Sequence, residues 1–148
     1  MQALKLRRLS WKLRLFLVLL FFLLAFMRIA ILTIPFRILA KLFLQPKTSS
    51  CSSKLAPEKH AIYARIIGRM TALVARYTPW QSKCLVQALA CRLLLRHYTI
   101  ANIFYLGVGK DEANKFTAHA WINCLDETIV GGSSSFERYK IISQFEDI

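Results

Sequence analysis

A chain of 148 residues with 55% hydrophobic side chains has material for one packed domain, and a formal charge of +13 marks it as strongly basic. The charge is segregated: ten basic residues and no acidic one fall between Met1 and Pro57, while the rest of the chain carries eleven basic and eight acidic side chains, a net of only +3. The basic stretch is interleaved with Leu and Phe rather than with Gly, Ser and Asn, which argues against nucleic acid as a partner and for anionic lipid or an acidic peptide.

In chain order, the basic stretch Lys5 to Arg14 leads into thirteen apolar residues, Leu15 to Met27, stopped by Arg28. A full membrane span needs roughly twenty residues. A cleaved secretory signal is not expected, because Arg28 stands where small residues should prepare the cut. A span continued through Arg28 to Phe36 would bury a charge at about 2.5–3.5 kcal/mol near the bilayer centre. The preferred reading is a helical hairpin, Leu4 to Thr33 and Phe36 to Leu44 broken at Pro35, lying on a membrane surface or packed on the rest of the chain and a partner. The expected division is a helical segment at 1–45, a Ser-rich linker at 46–57 holding an inert Cys51, and a folded domain at 58–148.

Glu58 to Tyr77 resumes helical spacing and predicts an amphipathic helix with Ile62, Ile66, Met70, Leu73 and Tyr77 on the core side and Arg65, Arg69 and Arg76 largely opposite; Gly68 would admit a neighbouring backbone. Thr78-Pro79-Trp80-Gln81 ends it. Ser82 is then a good N-cap for a helix running to about His97, with Cys84 in its first turn. Ile100 to Val108 predicts a strand closed by Gly107 and Gly109, and 110–115 a polar loop. Phe116 to Cys124 predicts a second strand, Leu125-Asp126-Glu127 a turn and Thr128 to Val130 its return, and Tyr139 to Phe145 a last strand with Tyr139, Ile141 and Phe145 facing one way. Helices followed by a mainly antiparallel sheet give an α+β fold.

Cys84 and His119 stand out chemically. The amides of a helix's first turn lack partners within the helix and carry the positive end of its dipole, so a thiolate at Cys84 is favoured there. His119 on its strand would serve as the base. Against this, a cysteine in a helix is more often a small core residue and a strand histidine more often structural, so spacing alone leaves the dyad open. The cysteines Cys51, Cys84, Cys91 and Cys124 form neither Cys-x-x-Cys nor Cys/His pairs at zinc spacing, so no metal, other cofactor or disulfide framework is expected and the compartment reads as reducing.

Trp80, Lys83 to Ala90, Arg92, Leu94, Leu106-Gly107-Val108, Ala118-His119-Ala120-Trp121 and Val130-Gly131-Gly132 together resemble the transglutaminase-like leader peptidases of lasso-peptide biosynthesis, whose fold also forms the C-terminal domain of the microcin-processing protein. Pro35-Phe36-Arg37 and the Leu-rich helices around it resemble the segment those proteins carry ahead of the catalytic part. The resemblance implies a transglutaminase-like (papain-like) cysteine protease fold with a helical N-terminal extension. It implies removal of the leader from a ribosomally made precursor peptide before an ATP-dependent lasso cyclase closes the ring. The first 57 residues are too apolar and helical to be a leader-binding domain, so a separate leader-recognition protein is expected as partner, with a cytoplasmic location and contact with the inner face of the membrane.

Within that reading Cys84 is the nucleophile and His119 the base; the Cys84 amide and Gln81 would hold the oxyanion, and Trp80 and Trp121 would wall the site or serve as core aromatics. Gln87 and Cys91 share the Cys84 face, where packing accounts for them. The sequence departs from the family at one point: an aspartate that orients the histidine in some members is replaced by Gly131. Asp126 sits at a hairpin tip on the order of 20 Å from His119 and cannot substitute. The expected replacement is a backbone carbonyl near Gly131, or Ser133, or nothing.

Overall fold

The computed structural model describes residues 10–45, 57–110, 114–132 and 135–147. Helix α1 (Trp11–Thr33) is rich in Leu and other strong helix formers and ends where Ile34 turns extended ahead of Pro35, whose ring forbids continuation; α2 (Phe36–Phe43) starts on the far side of that proline. The break falls where the sequence placed it. Residues 1–9 and the linker with Cys51 lie outside the described residues.

Helix α1 buries one stripe, Leu20, Leu24, Met27 and Ala30, in the same core as α3 (Pro57–Arg76) and α4 (Cys84–His97). Its other side stays exposed. Helix α3 is rotated relative to expectation. The residues it buries are Ala64, Ile67, Gly68, Thr71 and Val74, whereas Ile62, Ile66, Leu73 and Tyr77 are exposed. Small side chains win the inner face because the approach is close: a Cβ on Gly68 would lie 2.3 Å from Ile129 Cγ2 and 2.6 Å from Ile129 O. The wider apolar residues would hold the helix off.

Four strands follow, β1 (Asn102–Lys110), β2 (Phe116–Cys124), β3 (Glu127–Val130) and β4 (Lys140–Asp147), in one antiparallel sheet of order β3-β2-β1-β4, with the single helical turn α5 (Ser135–Arg138) before β4. Leu125 and Asp126, at φ 50° and 63°, make the two-residue turn between β2 and β3, the left-handed pairing that matches strand twist. Helix α4 lies between the sheet and the α1/α3 layer. Its Cys91 and Leu95 join Phe104, Ala120, Ile122 and Cys124 in one core.

Two irregularities decide which side chains share a face. Pairing of β1 with β4 shifts between Leu106/Ser143 and Gly107/Ile141, leaving Ile142 as the extra residue. Phe145 therefore packs edge-on with Phe104 on the inner face, while Ile141 pairs with Gly107 on the outer one, so the expectation that Tyr139, Ile141 and Phe145 face one way fails at the bulge. The second shift pairs Ile122 with Val130 and Asn123 with Thr128, which advances Gly131 along β2.

The C-terminal half of α4 ties the N-terminal helices to the sheet. Arg92 and Arg96 donate to the carbonyls that end the α2 segment: Arg92 Nη2 to Leu44 O at 3.4 Å and Arg96 Nη1 to Phe43 O at 2.6 Å. Both also reach Asp147 at the end of β4, at 3.1 Å from Arg92 and, through a two-point contact, 2.5 and 2.8 Å from Arg96. These carbonyls are among those a helix end leaves unpaired.

Candidate active site

Cys84 opens α4 as its first residue. Lys83 is the N-cap, in extended conformation and without a side-chain cap bond, since its ammonium has no acceptor to offer; the Ser82 hydroxyl lies instead 2.8 Å from Thr78 Oγ1. Thr78 Oγ1 also lies 2.8 Å from Ala75 O and 3.0 Å from Trp80 O, and Gln87 Nε2 donates to Ser82 O at 2.7 Å. These bonds brace the loop that delivers Cys84, so Gln87 acts on the loop as well as filling space. The first intrahelical acceptor is Lys83 O, bonded by the Gln87 amide at 3.2 Å, which leaves the amides of the first turn pointing at the region of Cys84. The Cys84 thiol is half-buried, whereas Cys91 and Cys124 are buried. Burial pushes the Cys91 thiol far up and the Cys124 thiol up to about 11, and Cys124 spends its S–H on Ala101 O at 2.9 Å.

His119 lies on β2 opposite Gly107 of β1, with Trp121 two residues on and stacked beside it at 6.0 Å. Both project from the face opposite to the one carrying Ala120, Ile122 and Cys124, on which α4 packs. The imidazole is held by two further groups. Tyr139 stacks on it at 4.7 Å with an interplanar angle of 22°, and Gly131 O sits 2.7 Å from Nε2. A carbonyl oxygen only accepts, so Nε2 carries the proton and Nδ1 of the neutral ring keeps its lone pair, the arrangement a general base requires. No hydrogen bond joins His119 to Cys84 among the described residues.

The other residues singled out in the sequence are distributed as follows. Trp121 is fully buried, stacked on Tyr105 at 5.5 Å as well as beside His119, so it is the floor under the imidazole. Trp80 tilts against Phe21 of α1 at 5.1 Å, with its indole nitrogen buried and lacking a hydrogen-bond partner. Gln81 is exposed beside the start of α4, and Asp126 is at the hairpin tip. Ser133 lies outside the described residues.

Tyr139 is the group that sequence reasoning missed, and a signal for it was present. Gly107 and Gly109 do not close β1; they lie within it, and each clears room for a ring. A Cβ on Gly107 would lie 2.8 Å from Trp121 Cη2, and one on Gly109 2.8 Å from Tyr139 Cδ1. A Gly-x-Gly inside a strand therefore reports large side chains crossing from the neighbouring strands.

Gly131 O is the hydrogen-bond partner of His119 Nε2, and the geometry of this residue leaves no room for a side chain. Its φ is +105°, and a Cβ there would lie 2.4 Å from Trp121 Cβ. Gly131→Ala is expected to cost about 1–3 kcal/mol from backbone strain alone and to move the carbonyl off Nε2. Nitrogen chemical shifts of the His119 ring should report the Nε2–H tautomer in the parent and a mixed population in the variant; an unchanged ring spectrum would show that this carbonyl does not set the tautomer.

A family model described as the transglutaminase-like superfamily matches residues 30–144, which covers α2 through most of β4 and includes both Cys84 and His119. No curated protein and no solved structure matches the chain. By the extent of that match, the chain belongs to the transglutaminase-like superfamily.

Proposed function

We propose that this protein is a cysteine peptidase that removes the leader from a ribosomally made lasso-peptide precursor, working in the cytoplasm with a separate leader-recognition protein and ahead of an ATP-dependent lasso cyclase. The observation that carries the reading is the imidazole of His119, held by Gly131 O with its proton on Nε2 and Nδ1 left to accept one. In the proposed reaction the Cys84 thiol gives its proton to Nδ1 as the sulfur attacks the carbonyl at the leader–core junction. The tetrahedral oxyanion is held by the Cys84 amide and the Gln81 side chain. The imidazolium then protonates the departing amine, leaving a thioester that water hydrolyses with His119 again as base.

The expected result is slow cleavage of full-length precursor by this chain alone and cleavage faster by about tenfold or more with the leader-recognition protein present, since tethering the leader raises the effective concentration of the junction. Equal rates would sink the two-protein reading, and cleavage by neither preparation would sink the peptidase. A second reading, a module that holds peptide without cutting it, is favoured by the absence of a hydrogen bond between Cys84 and His119 and by the glycine in the acidic position.

A further inference from the structure

We propose that the outer face of the α1/α3 layer docks on an anionic lipid bilayer, with α1 lying in the plane of the membrane surface. Helix α1 is long and apolar enough to cross a membrane by length and composition, yet its two sides have different fates. Leu20, Leu24, Met27 and Ala30 are at most 3% exposed and belong to the domain core. On the opposite side Leu15, Val18, Phe22, Phe26 and Ile29 are between 49% and 63% exposed. At 100° per residue these five fall within one sector of the helix, and no charged residue occurs from Leu15 to Met27.

A spanning α1 would have to leave the core, stripping α3 and α4 of a buried stripe, whereas an in-plane α1 keeps that stripe packed and sinks only the side that is already bare. The charges fit the same placement. Lys12 falls on one flank of the apolar sector and Arg14 and Arg28 on the other, and α2 adds Arg37 and Lys41 beside exposed Phe36, Ile38 and Leu42. Helix α3, packed alongside, adds Arg69 and Arg76 among the exposed Ile62, Ile66, Leu73 and Tyr77. No acidic residue occurs from Ser10 to Gln45. An apolar strip bordered by cations matches an interface of acyl chains under anionic headgroups, where each basic residue near the surface adds attraction and long side chains reach the headgroups. A second copy of the same strongly basic face would meet it with like charge.

The test uses the full chain and vesicles of phosphatidylcholine alone or with one-third phosphatidylglycerol. Flotation should show binding to the anionic vesicles at least tenfold stronger than to the neutral ones, weakened by 0.5 M salt. Phe22→Glu combined with Phe26→Glu should lower it by a further tenfold or more, with an unchanged melting temperature because both side chains point outward. Bromine-labelled acyl chains should quench Trp11, which is 70% exposed. Equal binding to both vesicle types, or binding unaffected by the paired substitution, would overturn the proposal. So would protection of the face by self-association without lipid, or a thiol label on Ser10→Cys that becomes reachable only from the far side of the membrane, the mark of a spanning helix.

Discussion

Cys84→Ala is expected to abolish leader cleavage and His119→Ala to lower it by roughly 10²–10⁴-fold, the range a positioned general base contributes. The variants should differ in kind. Without the sulfur there is no acyl-enzyme, whereas without the imidazole the nucleophile is still present and a slow residual cleavage should persist. Neither substitution should unfold the protein, since Cys84 is half-buried and His119 part-exposed. Parent rates in either variant would end the dyad. Thiol alkylation separates a peptidase from a mute binding module. Cys91 and Cys124 are 0% and 3% exposed with their thiols pushed up by burial, so in a Cys51→Ser background Cys84 should react first. If it pairs with the imidazole, His119→Ala should slow that alkylation; a rate indifferent to His119 supports the module. The pairing has a geometric condition. Helix α4 packs on the face of β2 opposite to the one carrying His119, so Cys84 and Nδ1 of His119 must meet around the edge of the sheet.

The largest effect on stability should come from Arg92→Ala. This guanidinium is fully buried and is held by Phe145 O at 2.7 Å, Leu44 O, Asn102 and Asp147, with the Phe104 ring 5.8 Å away. Burial lowers its pKa to about 10, with the Asp147 carboxylate opposing and Arg96 reinforcing that shift. The residue stays charged at neutral pH and depends on those acceptors. Removing one member of a buried, hydrogen-bonded ion cluster costs about 3–5 kcal/mol, here through carbonyls of Leu44 and Phe145 left without this donor. For a chain of this size the melting temperature should fall by roughly 10–20 °C. A loss below about 1 kcal/mol would show that the cluster behaves like a surface pair and that α2 is not clamped to the sheet. Loosening of α2 should accompany the loss, visible as faster proteolysis after Arg37 or Lys41, because Arg92 and Arg96 hold its closing carbonyls.

Much of the local structure was legible because it depends on neighbours in sequence. Pro35 breaks the first helix by removing an amide and fixing φ; the α4 boundaries follow from its apolar spacing; the β2–β3 hairpin follows from alternation on either side of a short polar turn. The helical cap was misread by one residue because Ser82 had a better partner in Thr78, a contact that exists only once the loop is folded. The face of α3 was misread for a similar reason. Periodicity marked the bulky side chains Ile62, Ile66 and Leu73 as core, but the close approach at Gly68 turns the helix so that Ala64, Ile67, Thr71 and Val74 face the layer beneath.

The order of residues specifies which atoms are available: a thiol at a helix start, an imidazole on a strand two residues from a tryptophan, a glycine after the hairpin, and a basic apolar stretch ahead of them. How those atoms are brought together depends on the folded arrangement. The bulges at Ile142 and near Ile129 set which residues share the outer face, and through them Tyr139 and Gly131 O come to hold His119. The packing of α4 likewise decided which side of α1 is core and which is bare. Identity and spacing act within a turn or two of chain, whereas register and helix rotation are fixed by the volume and hydrogen-bonding demands of segments dozens of residues away, which no local pattern encodes.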